Sequence, residues 1–457
     1  MTIKEFRQSL RRGIGSAIIE ISNSNDKEKY IDIVEYYCKR DISYDVQSEG
    51  TKSDYLYFAI WYLDEIEYFE EKIIKRFLSK CSDNLCAQLA RLLYLFGNIG
   101  YQKSIDALVQ KYEYFNRKKG RLTNSIKYNE AYQREIIVEH LFYLCGFPYF
   151  IHFADTLGQE LLLNPDNTQH IKDWDWFLYC AEKFFSKKRI ETYFEKNYGI
   201  SESITAYMDF CNTLKTTQTE NRLSIENHTI TVQEVINTVR ASVNKQFPRT
   251  GASRYRTWLH TKATETEISE IKELLKQEED DNTKALLLLL FSTPKMAEYI
   301  TIDELIEYAC SDSTTIVESV IEVLAHLKDR KIHDLAIELL MERGIESGAL
   351  RLLVENYRKD DDALIQSLII KLGSVSHHIQ MDIASIYQHH RSANAFPILF
   401  KVYQKGDCSF CRERIVRAMN HCGVLSDELL NECLFDSYDR TRKYAKRVIS
   451  ARNRRKN

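Results

Sequence analysis

The chain has 457 residues, with 63 Lys and Arg against 66 Asp and Glu, 44% hydrophobic and 28% charged residues, and only 15 Gly and 5 Pro. That composition excludes an intrinsically disordered chain, and Gly and Pro far below their usual shares of about 7% and 5% exclude a turn-rich β architecture. A net charge of −3 leaves any electrostatic role to local patches.

The remaining bulk properties fix the expected setting. The longest uninterrupted apolar run without tyrosine, Ala285 to Phe291, is far too short to cross a bilayer. The N-terminal stretch Met1 to Arg12 scatters Lys4, Glu5, Arg7, Arg11 and Arg12 among few apolar residues, unlike a secretory signal. Eleven cysteines are too sparse for a disulfide framework. Most, such as Cys180 and Cys310, sit among apolar neighbours where free thiols pack as small hydrophobes. The expected setting is the reducing cytoplasm, with no membrane and no cofactor.

In chain order, the first notable segment is YDVQSEG, which places Tyr44, Asp45, Gln47 and Glu49 in a loop between helices. Asp45 and Glu49 would serve as a general acid and base if their environments separated their pKa values. The plainer reading is an inter-helix turn, with Asp and Gln bonding local amides and Gly50 supplying a positive φ. Aromatic residues crowd Tyr55 to Tyr62 and Trp174 to Tyr179, so the helices of this half are expected to be less regular. The stretch NRKKGRLTNSIK (Asn116 to Lys127) is basic without acids.

Residues 215–230 are polar, and alternation about Asn227-His228 predicts a small β-hairpin before a helix capped by Thr231. The expected organisation is an N-terminal helical array over 1–215, a linker or hairpin over 216–232, and a C-terminal array over 233–457.

The window Arg240 to Lys262 then holds Arg240, Lys245, Arg249, Arg254, Arg256 and Lys262 with no acid, interleaved with Phe247, Tyr255 and Trp258. Guanidinium groups bind phosphate in bidentate fashion and aromatic rings stack on bases. Arg249, Arg254, Arg256 and Trp258, on a loop opened by Pro248, Thr250 and Gly251, are therefore a candidate anion or nucleic-acid site. The competing reading pairs these arginines with acids of neighbouring helices.

Beyond this window, Ile316, Val320 and Leu324 recur at i, i+4 and i+8, the mark of an amphipathic helix. Thr231/Glu234, Thr301/Glu304 and Thr315/Glu318 have capping-box spacing. Helices of about 9–15 residues separated by short breaks, such as Ile302 to Cys310, Ile332 to Glu342, Ala349 to Tyr357 and Ala363 to Lys371, predict antiparallel pairs that must stack to bury their stripes.

His378, Asp382 and His389 share a helical face, but His378 and His389 are about 16 Å apart at 1.5 Å rise per residue, so no shared metal is expected. Cys408, Cys411, His421 and Cys422 contain one C-x2-C knuckle only, which reads as packed thiols without a metal. The C-terminal helix and tail gather Arg440, Arg442, Lys443, Lys446, Arg447, Arg452, Arg454, Arg455 and Lys456, where positive charge favours a helix end.

Two stretches resemble HEAT repeats, whose second helix carries an Asp, then a branched apolar residue or Val-Arg pair, then Ala. Leu430, Leu434, Asp436, Arg442 and Ala445 keep that register, and Asp312, Val317 and Ile321 repeat it with Glu318 where Arg is usual. LFGNIGYQKSIDAL (Leu95 to Leu108) resembles the Gly-containing turn between the helices of that repeat. Through Tyr44 to Ile60 and CSFCR (Cys408 to Arg412), the chain is similar to uncharacterised bacterial HEAT-repeat proteins.

The resemblance implies an all-α solenoid of stacked helix pairs and brings no activity with it. The expected function is a non-catalytic scaffold presenting a concave helical surface to a protein partner. The alternative is a nucleic-acid-binding module, with base-excision chemistry because some HEAT-like proteins resemble alkylpurine DNA glycosylases in fold. The P-loop, G-x-G-x-x-G, H-E-x-x-H and G-x-S-x-G signatures are absent from the sequence.

Overall fold

A computed structural model describes residues 1–118, 128–163, 174–213 and 230–456. The architecture is all-helical, with no strand among the described residues. The hairpin expected about Asn227-His228, and the basic stretch from Lys119 to Lys127, lie outside them. No helix among the described residues is long and apolar enough to cross a membrane.

The chain divides into two compact units, Met1–Asn227 with Glu432–Arg442, and His228–Asn431 with Lys443–Asn457. In the first unit, the helices Gly15–Asn23, Ser53–Leu63, Asp83–Asn98 and Tyr128–Cys145 pack in succession. Beside them lie Glu28–Cys38, Ile66–Leu78 and Gln102–Lys118, again each against the next. Phe69, Ile73, Phe77, Leu89, Leu93 and Phe96 are fully buried between the two rows. The turn expected within Leu95 to Leu108 is present, with one helix ending at Asn98, Gly100 at φ +102° and the next helix starting at Gln102.

The second unit repeats this pattern. One row runs Pro248–Thr261, Asp281–Leu290, Thr314–Leu324, the 3-10 turn Ala349–Leu352, His377–His389 and Ser409–Cys422, each packed on the next. The other contains Glu265–Gln277, Ile302–Ala309, Arg330–Glu342, Asp361–Ile370 and Ala395–Lys405. Each element of these rows therefore meets near neighbours in sequence, as expected when an amphipathic pair cannot bury its stripe alone. The run Ala285–Leu290 is buried on all sides, which explains why its sequence shows no polar face.

Helix starts follow the capping chemistry unevenly. Thr301 and Glu304 form a full capping box, as do Thr264 and Glu267. Thr231 accepts from the Glu234 amide without the reciprocal bond. Thr315 caps nothing, because its helix begins one residue earlier with Ser313 in the cap position. The segment Ala349 to Tyr357, expected as one helix, is a 3-10 turn followed by the short helix Leu353–Asn356.

Candidate functional site

From Pro248 onward the arginine-rich window is a helix, Pro248–Thr261, rather than a loop. Pro248 occupies its first turn, where a missing N–H costs nothing, and Ala252, Tyr255, Trp258 and Leu259 form its buried stripe. Gly251 is needed for approach: a Cβ there would lie 2.2 Å from Ser242 Oγ of the preceding helix. Trp258 is only 7% exposed and belongs to the core, so its ring is not a stacking platform. Its spacing from Tyr255 and Ala252 was the signal in the sequence for that burial.

The arginines are largely committed to neighbours. Arg249 Nη2 donates to Glu318 Oε2 at 2.9 Å, and Arg240 Nη2 to Glu278 Oε2 at 2.9 Å. Arg256 Nη1 donates to Ser292 Oγ at 3.3 Å, and the Arg254 guanidinium lies 5.6 Å from the centre of the Tyr255 ring.

In the first unit, the YDVQSEG segment is a structural turn. Asp45 caps the short helix Val46–Glu49, accepting from the Gln47 amide at 3.0 Å and from Ser48 Oγ at 2.6 Å. The Glu49 carboxylate is buried and accepts from the amides of Tyr44 and Asp45. Lys52 Nζ lies 3.7 Å from Glu49 and donates to the carbonyls of Ile42 at 3.0 Å and Arg11 at 3.3 Å. Gly50, at φ +72°, reverses the chain between them. Both carboxylates are thus occupied holding the backbone, while the Tyr44 ring is exposed.

The second unit contains a pocket of about 190 Å³ built from successive elements of one row. Arg249 comes from Pro248–Thr261, Glu318 and Glu322 from Thr314–Leu324, Glu346 and Arg351 from the turns around Gly348, and His378 and Asp382 from His377–His389. Ile321, Ile345 and Ile379 supply its apolar lining. The walls therefore carry four carboxylates (Glu318, Glu322, Glu346, Asp382) against two guanidinium groups (Arg249, Arg351).

Arg351 organises the floor, pairing through Nη1 with Glu322 and through Nε with Asp382 at 3.4 Å. Burial pushes the Asp382 carboxyl up to about 6, even though Arg351 pulls the other way. The sequence placed His378 and Asp382 on one helical face but offered nothing to join them to Arg249. Glu322, Glu346 and Arg351 carried no local signal, because the pocket exists only once several elements stack.

One further cluster joins residues distant in sequence. His377, Cys408 and Cys411 bring one nitrogen and two sulfurs within 4.8 Å of one another. Cys422 points elsewhere, toward the carbonyls of Tyr387 at 3.4 Å and His390 at 3.9 Å. Among the other thiols, Cys310 is exposed at a helix end rather than packed. His389 Nδ1 is bonded to the Ser385 carbonyl at 2.8 Å.

Against known proteins, no family model matches the chain and no curated protein matches it.

Proposed function

We propose that the chain is a cytosolic, non-catalytic binding scaffold of HEAT-like repeats, whose second unit receives a basic side chain of a protein partner between Glu318, Glu322, Glu346 and Asp382. The observation that carries this reading is the excess of carboxylate in a pocket whose two arginines are already paired. Partly desolvated carboxylates hold a guanidinium or ammonium through charge-assisted bonds, and the three isoleucines pack its aliphatic stem. The neighbour-on-neighbour packing supports the solenoid expectation, since such arrays characteristically bind extended segments along one face.

Asp382 gives the reading a pH signature. An arriving cation favours its ionised form, so binding should weaken as pH falls through about 6. The alternative, a nucleic-acid module, has less support, because Trp258 lies in the core and Arg249 is tied to Glu318.

Peptides displayed on phage and selected against the full chain test the proposal. Recovered peptides should share an Arg or Lys and should bind a Glu318→Gln, Glu322→Gln variant at least about tenfold more weakly, a loss of about 1.4 kcal/mol. If selection instead returns acidic sequences, or if only a generic duplex binds, with a salt slope that flattens in an Arg254→Ala, Arg256→Ala variant, the nucleic-acid reading replaces it.

A further inference from the structure

We infer that His377, Cys408 and Cys411 form a zinc site in the second unit. The local folding brings them together in three steps. Val375 donates its amide to the Lys405 carbonyl at 3.2 Å, making an isolated parallel bridge between Val375 and Gly406. A Cβ at Gly406 would crowd the bridge, lying 2.9 Å from the Val402 carbonyl oxygen and 2.2 Å from Gln380 Oε1. The bridge aligns the starts of two packed helices, with His377 first in one and Cys408 at the cap of the other.

The donor set and its spacing suit the ion. A tetrahedral zinc with Zn–S near 2.3 Å and Zn–N near 2.0 Å has ligand-to-ligand edges of about 3.5–3.8 Å. Here Cys411 Sγ and His377 Nδ1 are 3.1 Å apart, and all three donor atoms lie within 4.8 Å, so side-chain adjustments of less than about 1 Å complete the geometry. Cys408 and Cys411 have the two-residue spacing of a metal knuckle, and both are fully buried, where a zinc-bound thiolate is shielded from oxidation.

The missing second knuckle is replaced by a histidine 31 residues upstream of Cys408, beyond the reach of a local motif. His377 is half-buried, and a fourth ligand would come from solvent. Two soft sulfurs and an imidazole favour zinc over the hard cations. On binding, each thiol surrenders its proton to solvent and the two thiolates balance the charge of the ion.

The test uses the full chain, stripped with a chelator and titrated with Zn²⁺ or Co²⁺ alone, followed by metal analysis and absorption spectroscopy. Expected are one ion per chain, thiolate-to-cobalt charge-transfer absorption, and a rise in Tm on zinc addition. Cys411→Ser and His377→Ala should each lower affinity by about 100-fold or more, while Cys422→Ser binds as the parent does. The assignment is overturned if the folded parent takes up substoichiometric metal or if bound cobalt lacks the thiolate band. The parent's stoichiometry and absorption decide the matter even if a variant at the buried cysteines fails to fold.

Discussion

Two regions of this molecule are rich in carboxylates and put them to different use. In the first unit, Glu49 is buried beside Lys52, and each satisfies backbone groups left over at a turn. In the second, Glu318, Glu322 and Asp382 line an accessible pocket, and the arginines among them leave carboxylate in excess. The residue types are the same; the difference lies in whether the remaining lone pairs face backbone amides or a space that a ligand can enter. A buried pair with every partner internal is structural, and a partly paired set around a pocket is available for recognition.

The contrast predicts opposite outcomes for charge removal. The largest effect belongs to the turn: Lys52→Met removes the cation beside the buried Glu49 and should destabilise the first unit by about 3–5 kcal/mol in denaturant unfolding, without affecting peptide binding by the second. A variant as stable as the parent would erase the distinction. In the pocket, Glu318→Gln with Glu322→Gln should weaken a selected basic peptide at least about tenfold and change stability by less than about 1 kcal/mol, because both side chains are partly exposed.

Asp382 sharpens the comparison through pH. Its carboxyl pKa is raised on folding, so the folded chain holds a proton that the unfolded chain releases between about pH 4 and 6. Its contribution to stability therefore declines as pH rises through that window and stays unfavourable above it. Asp382→Asn should stabilise the chain by up to about 2 kcal/mol at pH 7, with the gain vanishing near pH 4. Loss of stability at pH 7 would show that its bond to Arg351 outweighs burial. Smallest among these, Thr301→Ala removes a capping box and should cost about 1 kcal/mol at neutral pH.

The sequence carried the periodic part of this structure well and the convergent part poorly. Ile316, Val320 and Leu324 announced a helix because the buried stripe of a helix repeats within one element, and all three are buried. Asp45 and Gly50 announced a turn because their bonding and φ requirements are local. Pro248, Thr250 and Gly251 suggest a loop by composition, whereas Pro248 begins a helix in which Ala252, Tyr255 and Trp258 form a buried stripe. Likewise, C-x2-C is visible in sequence at Cys408 and Cys411, but His377 is 31 residues away and comes alongside only through the bridge at Val375 and the packing of the two helices. Local rules report local structure; the pocket and the cluster of His377, Cys408 and Cys411 depend on stacking.

The central claim is that recognition resides in the pocket of the second unit. Hydrogen–deuterium exchange of the full chain, with and without a selected basic peptide, tests it most directly. Added protection should concentrate in Thr314–Leu324, residues 345–352 and His377–His389, and should fade in the Glu318→Gln, Glu322→Gln variant. Protection confined to the first unit, or unchanged in that variant, would contradict the account.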